Sequence, residues 1–76
     1  MSKLPRQLSY KKVIAALRRA GFREHRQRGS HIILVKEGRM ATLSVPDHRE
    51  VAKGTLRSLI RSSGLTVEEF ATLAGK

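Results

Sequence analysis

Arg26-Gln27-Arg28-Gly29-Ser30-His31-Ile32-Ile33-Leu34-Val35 is the stretch whose reading decides the fold. A polar segment, a Gly-Ser pair and an apolar run rich in branched residues read as a hairpin with a two-residue turn. His31 to Glu37 is the stronger strand, with Ile32 and Leu34 directed to one face and His31, Ile33 and Val35 to the other. Both faces are apolar enough for a central strand. Phe22 to Arg28 has one aromatic anchor and then polar residues, which suits an edge strand whose arginines discourage pairing with another sheet. After the apolar run, Glu37-Gly38-Arg39 reverses the chain. Met40 to Val45 then forms a third strand, ended by Pro46, which has no N–H for the ladder. Connections this short join antiparallel neighbours, so the three strands form a meander.

Working outward, Ser9 is positioned to cap a helix in which Tyr10, Val13, Ile14 and Leu17 fall at i, i+3, i+4 and i+7. That stripe faces a core and leaves Lys11, Lys12, Arg18 and Arg19 in solvent, with Gly21 as the stop. Residues 1–8 carry Pro5 and no clear period, and read as an N-terminal arm. Downstream, Pro46 to Glu50 is a polar loop. Lys53-Gly54-Thr55 opens a helix that buries Leu56, Leu59 and Ile60 and ends at Gly64. Thr66 and Glu69 have the spacing of a capping box, which starts a last short helix with Val67, Phe70 and Leu73 as packing residues. The order is α-β-β-β-α with an extra short C-terminal helix. Helices on one side of an antiparallel sheet make an α+β two-layer fold, here a single domain over residues 9–76.

The chain has 76 residues and no cysteine, so neither a disulfide framework nor a thiolate metal site supports its small core. The first residues lack the apolar segment of a secretory signal, and no stretch approaches a membrane span, so the expected location is the cytoplasm with no membrane partner. A formal charge of +10 attracts polyanions, and nucleic acid is the default partner. Most of that charge precedes position 40. Lys3, Arg6, Lys11, Lys12, Arg18, Arg19, Arg23, Arg26, Arg28, Lys36 and Arg39 face only Glu24 and Glu37 there.

The hairpin turn is where chemistry and charge meet. Histidine titrates near neutral pH, glycine permits close backbone approach and arginine grips phosphate, so His31 beside Gly29-Ser30, Arg26 and Arg28 points to phosphodiester chemistry. The competing reading is a plain turn followed by a solvated histidine, and residue types alone favour it. Ser30 is read as a turn residue rather than a nucleophile, because a nucleophile needs a positioned base and oxyanion donors, for which one Ser-His dipeptide is very weak evidence. A metal is not expected: His25, His31 and His48 lack ligand spacing and the acids are scattered. RNA cleavage asks for less, since the ribose 2′-hydroxyl is the nucleophile and one proton-transfer group plus positive charge gives useful rates. His31 would move the proton, with Arg26, Arg28 or Lys36 stabilising charge on the phosphate. His48 is the candidate second proton-transfer group, provided its loop folds back beside the turn, and His25 belongs to the surface.

Val13-Ile14 with Leu17 and Gly21-Phe22, Gly29-Ser30-His31, Val45-Pro46 with His48, Lys53-Gly54-Thr55-Leu56, and Gly64-Leu65-Thr66 with Glu69-Phe70 together resemble the HicA toxin family, also called YcfA-like. The resemblance spans residues 9–74 and rests on the order and spacing of motifs. It implies a double-stranded-RNA-binding-like fold and a type II toxin-antitoxin toxin acting as a ribosome-independent mRNA interferase. Such a toxin inhibits translation and growth in stress responses. It further implies catalysis by the histidine of the Gly-Ser-His turn, which maps onto His31, and neutralisation by a HicB antitoxin. Arg49-Glu50-Val51-Ala52 stands where the family usually has a glycine, and the N-terminal arm is longer than in minimal members.

The resulting expectation is a metal-independent endoribonuclease with no cofactor, acting on mRNA or other single-stranded RNA. His31 is catalytic, Gly29 and Ser30 support the site, and Lys11, Lys12, Arg26, Arg28, Lys36 and Lys53 bind RNA. A cationic site is most simply silenced by an acidic antitoxin that covers it. The alternative is a non-catalytic double-stranded-RNA-binding module holding phosphates and 2′-hydroxyls. Direct DNA binding by a helix-turn-helix over Leu56 to Ala74 is not expected, because Glu68 and Glu69 would begin the recognition helix and repel phosphates.

Overall fold

A computed structural model of the chain describes residues 8–38 and 42–75. Helix α1 (Tyr10–Arg19) precedes strands β1 (Arg23–Arg28), β2 (His31–Val35) and β3 (Leu43–Pro46), followed by helices α2 (Lys53–Ser63) and α3 (Val67–Ala74). This is the expected α+β order.

Ser9 has extended backbone, and its hydroxyl accepts from the Lys12 amide at 3.3 Å, capping α1. Val13, Ile14, Ala16 and Leu17 are buried, so the predicted stripe is the face that packs. The sheet is antiparallel with order β1-β2-β3, which makes β2 central and β1 an edge. β2 is shorter than the sequence suggests because its last partner on β1 is Arg23, opposite Val35, so Lys36 and Glu37 have no strand to pair with. The third strand begins at Leu43, opposite Leu34, rather than at Met40. Thr42 precedes it outside any element, and Met40 and Ala41 lie outside the described residues.

The core joins one face of the sheet to the helices. Leu17, Leu34, Leu43, Leu56, Val13, Val45 and Phe70 are its largest fully buried side chains. The Val51 amide donates to the Leu8 carbonyl at 2.8 Å, and both side chains are buried. Leu8, at the end of the expected arm, is thus a core residue; residues 1–7 lie outside the described part. Val51 gives the Arg49–Ala52 segment an anchor of its own.

Gly64, in left-handed conformation, ends α2, and Ser63 ties the turn by donating to the Ile60 carbonyl at 2.6 Å and accepting from the Leu65 amide at 3.2 Å. The capping box of α3 is complete. Glu69 Oε1 accepts from the Thr66 amide at 2.8 Å and Thr66 Oγ1 from the Glu69 amide at 3.0 Å. Phe70 is fully buried and Leu73 packs at the margin, but Val67 is 37 % exposed and is not the packing residue its spacing suggests. It stands one turn before Phe70, where α3 is only beginning to meet the body. Arg19 Nη1 donates to the Leu73 carbonyl at 2.8 Å, placing positive charge at the C-terminal end of α3 and tying it to α1. Among the described residues no helix is long and apolar enough to cross a membrane.

Candidate nucleic-acid interface

Arg28 and His31 are the last pair of the β1–β2 ladder, so Gly29 and Ser30 alone make the turn. Gly29 has φ +60° while among the described residues no non-glycine residue has positive φ, the pattern of a type II′ turn whose twist matches the strands. A side chain at position 29 would be strained there, which is why the turn needs glycine first and accepts serine second.

That turn sets the register of everything beside it. Because Ile32 and Leu34 are buried under the helices, His31, Ile33 and Val35 face the other side of the sheet. Arg28 pairs with His31, Arg26 with Ile33 and Arg23 with Val35, so three exposed arginines form a row along the edge of the open face. On the other flank, Pro46 stands opposite His31 and Ser44 opposite Ile33. His31 is exposed, at the end of the central strand and the end of the row.

The loop after β3 folds back onto the turn. Asp47 donates its amide to the Ser30 carbonyl at 2.8 Å, and Gln27 Nε2 donates to the Gly29 carbonyl at 3.2 Å and to Asp47 Oδ2 at 3.4 Å. The Tyr10 amide donates to the His48 carbonyl at 3.3 Å, which ties the same loop to the start of α1. His31 and His48 each follow one member of the bonded Ser30–Asp47 pair. Both are exposed.

Among the candidate residues, His31, Arg26, Arg28, Gly29, Ser30 and the loop of His48 therefore share one corner. Lys36 does not join them: it lies past the opposite end of β2, five residues and about 17 Å along the strand. Its Nζ sits 5.6 Å from the centre of the Phe22 ring, and a Cβ added at Gly21 would fall 3.1 Å from its Cε. Lys11 and Lys12 lie exposed on α1, and Lys53 opens α2. His25 is at the break in the β1–β2 register, exposed.

Three contributors escape sequence reading. Gln27 and Asp47 pin the turn to the loop, and Arg23 completes the row. The recurrence of arginine at 23, 26 and 28 is a visible signal, obscured by its uneven spacing. Among the described residues no group of three or more His, Cys, Asp or Glu side chains is arranged to hold a metal ion.

Comparison with curated proteins yields no match. A family model described as the HicA toxin of bacterial toxin-antitoxin matches residues 10–65, which takes in α1, the sheet and α2 and leaves α3 beyond it.

Proposed function

The chain belongs to the HicA toxin family of bacterial toxin-antitoxin systems, and on that premise we propose that it is a metal-independent endoribonuclease with His31 as its proton-transfer residue. The observation that carries this reading is the pairing of an exposed histidine with an arginine row on the face of the sheet that the described helices leave open. A phosphodiester of single-stranded RNA lies against Arg26 and Arg28, whose guanidiniums neutralise charge gathering on the phosphorane. The 2′-hydroxyl attacks the adjacent phosphorus, the O2′–P bond forms and the P–O5′ bond breaks. One proton leaves the 2′-oxygen and one reaches the departing 5′-oxygen. His31 handles one of these transfers, and His48, in the loop that Asp47 bonds to the turn, is the candidate for the other. The products are a 2′,3′-cyclic phosphate and a 5′-hydroxyl end.

Such cleavage of mRNA in the cytoplasm would stop translation and growth. A HicB-like acidic antitoxin covering the arginine row would prevent it, and the encounter should slow as salt rises. The deciding experiment incubates labelled single-stranded RNA with the purified chain in the presence of chelator, beside His31→Ala. Cleavage by the unmodified chain alone, with cyclic-phosphate or 3′-phosphate ends, is the expected result. Equal cleavage by both chains would remove His31 from the mechanism. Tight, salt-sensitive binding without cleavage by either would leave a non-catalytic RNA-binding module.

A further inference from the structure

A cleft of about 410 Å³ opens between α1 and β1, on the helix side of the sheet and so on the other side from the arginine row. Its size is in the range of small-ligand sites. Ile14 and Ile32 give it apolar walls, Tyr10 contributes an aromatic ring, Arg18 positive charge, and Glu24 and Gln27 a polar edge.

The polar edge exists because of an irregularity in β1. Glu24 and Gln27 are three residues apart, and in an unbroken strand they would point to opposite faces. The register shifts between Glu24 and Arg26, so that His25 is extra, Glu24 stands opposite Leu34 and Gln27 opposite Ile32. Leu34 and Ile32 face the helices, and the bulge thereby turns both polar side chains into the cleft. The Glu24 carboxylate has no hydrogen-bond or ion-pair partner among the described residues, although cations surround it in sequence. Gln27 spends its amide N–H groups on Gly29 and Asp47, which leaves its Oε1 as an acceptor. From β1, then, the cleft offers acceptors.

We propose that this cleft is a nucleobase subsite that selects guanine, an inference that rests on the RNA-cleaving reading and adds a specificity-determining residue, Glu24, to it. Guanine carries two adjacent in-plane donors, N1–H and the N2 amino group, which match one carboxylate. Adenine and cytosine each place a ring acceptor beside their amino group, and uracil flanks its single N–H with carbonyls, so each of them meets the carboxylate with a repulsive neighbour. Tyr10 and Arg18 provide flat partners of the kind on which unstacked RNA bases lie. The cleft also adjoins the catalytic corner. Gln27 bonds the turn that carries His31, and the Tyr10 amide holds the carbonyl of His48. Since β1 is the edge of the sheet, an RNA strand passing round it would set a base in the cleft and a neighbouring phosphate on the arginine row.

Binding of short 2′-O-methyl oligonucleotides by the full chain tests this, since the methyl group blocks the nucleophile and cleavage does not intervene. Fluorescence anisotropy compares an all-uridine oligonucleotide with three others bearing one central guanosine, adenosine or cytidine. The guanosine version should bind about tenfold more tightly than the others. In Glu24→Gln that preference should vanish while uridine binding stays equal or tightens, because a negative charge has left a basic surface. Guanosine monophosphate should shift the NMR signals of the Tyr10 ring and the Gln27 side-chain amide. Equal affinity for all the oligonucleotides, or a guanosine preference that survives Glu24→Gln, overturns the base subsite and leaves RNA cleavage standing. Failure to bind any of them, together with no cleavage of unmodified RNA, overturns both.

Discussion

The two faces of β2 differ by a one-residue offset and do different work. Ile32 and Leu34 are 8 % and 0 % exposed and belong to the core, whereas His31 between them and the turn stands in solvent beside Arg28. A pleated strand can give alternate residues to stability and to chemistry only while its register holds. A slip of one residue would bury His31 and expose Leu34. Here the register is pinned at the His31 end, where the proposed chemistry lies: by the two-residue turn on one side, by Pro46 opposite His31 on the other, and by the Asp47–Ser30 bond just beyond. Precision at the site is thus a by-product of how the sheet is closed.

The largest effect that would break this division comes from His31→Ala. RNA cleavage should fall by about 10²–10⁴-fold, the usual contribution of a positioned proton-transfer group, with thermal unfolding unchanged. A parallel loss of folded protein would place His31 in the structural half instead. Leu34→Ala should do the reverse, lowering stability in urea denaturation by about 2–5 kcal/mol. A chain this small has little stability to spare. In the cold, where the variant remains folded, its cleavage rate per folded molecule should match the parent; a strongly reduced rate would mean that the two faces are not separable.

Smaller effects sharpen the contrast along the open face. Changing Arg26 and Arg28 together to Gln should weaken binding of single-stranded RNA and reduce the slope of log affinity against log salt by about 1.4, or roughly 0.7 for each phosphate left without its arginine. Stability should move little, since both side chains are exposed. Lys36→Gln is the informative companion. Its ammonium lies over Phe22 at the far end of β2, so it should cost about 0.5–1 kcal/mol of stability and leave the salt slope nearly unaltered. An equal reduction in slope would place Lys36 in the interface.

Most of the fold was legible because its signals are local and repeated. The helical stripe from Tyr10 to Leu17, the Gly-Ser turn and the Thr66–Glu69 box each place a known geometry at a known residue. The centre of the candidate site was nameable from sequence because His31 directly follows that turn. What could not be read was the bulge at His25. β1 is exposed along its whole length, so no alternation of apolar and polar residues marks where the register shifts or which face Glu24 takes. Lys36 misleads for a related reason: its closeness to His31 in sequence becomes the full length of a strand in space. The Gln27–Asp47 contact joins positions 20 apart, and nothing local in either segment announces it. Val67 has the right spacing for burial, but spacing does not tell where a helix first meets its neighbour.

The smallest expected effect concerns α3, which lies beyond the family match and on the other side of the core from the arginine row. Thr66→Ala removes one half of the capping box and should cost about 1 kcal/mol in chemical denaturation. Phe70 and the Arg19–Leu73 bond still hold the helix, so the loss should appear as fraying of its first turn, visible as faster amide exchange at Glu68 and Glu69. Neither the turn at Gly29 nor the register of β2 draws on that cap, so cleavage per folded molecule should not change. If cleavage fell along with the cap, the placement of His31 would depend on the whole helical layer, and the separation of the two faces of β2 would be a property of the domain rather than of one strand.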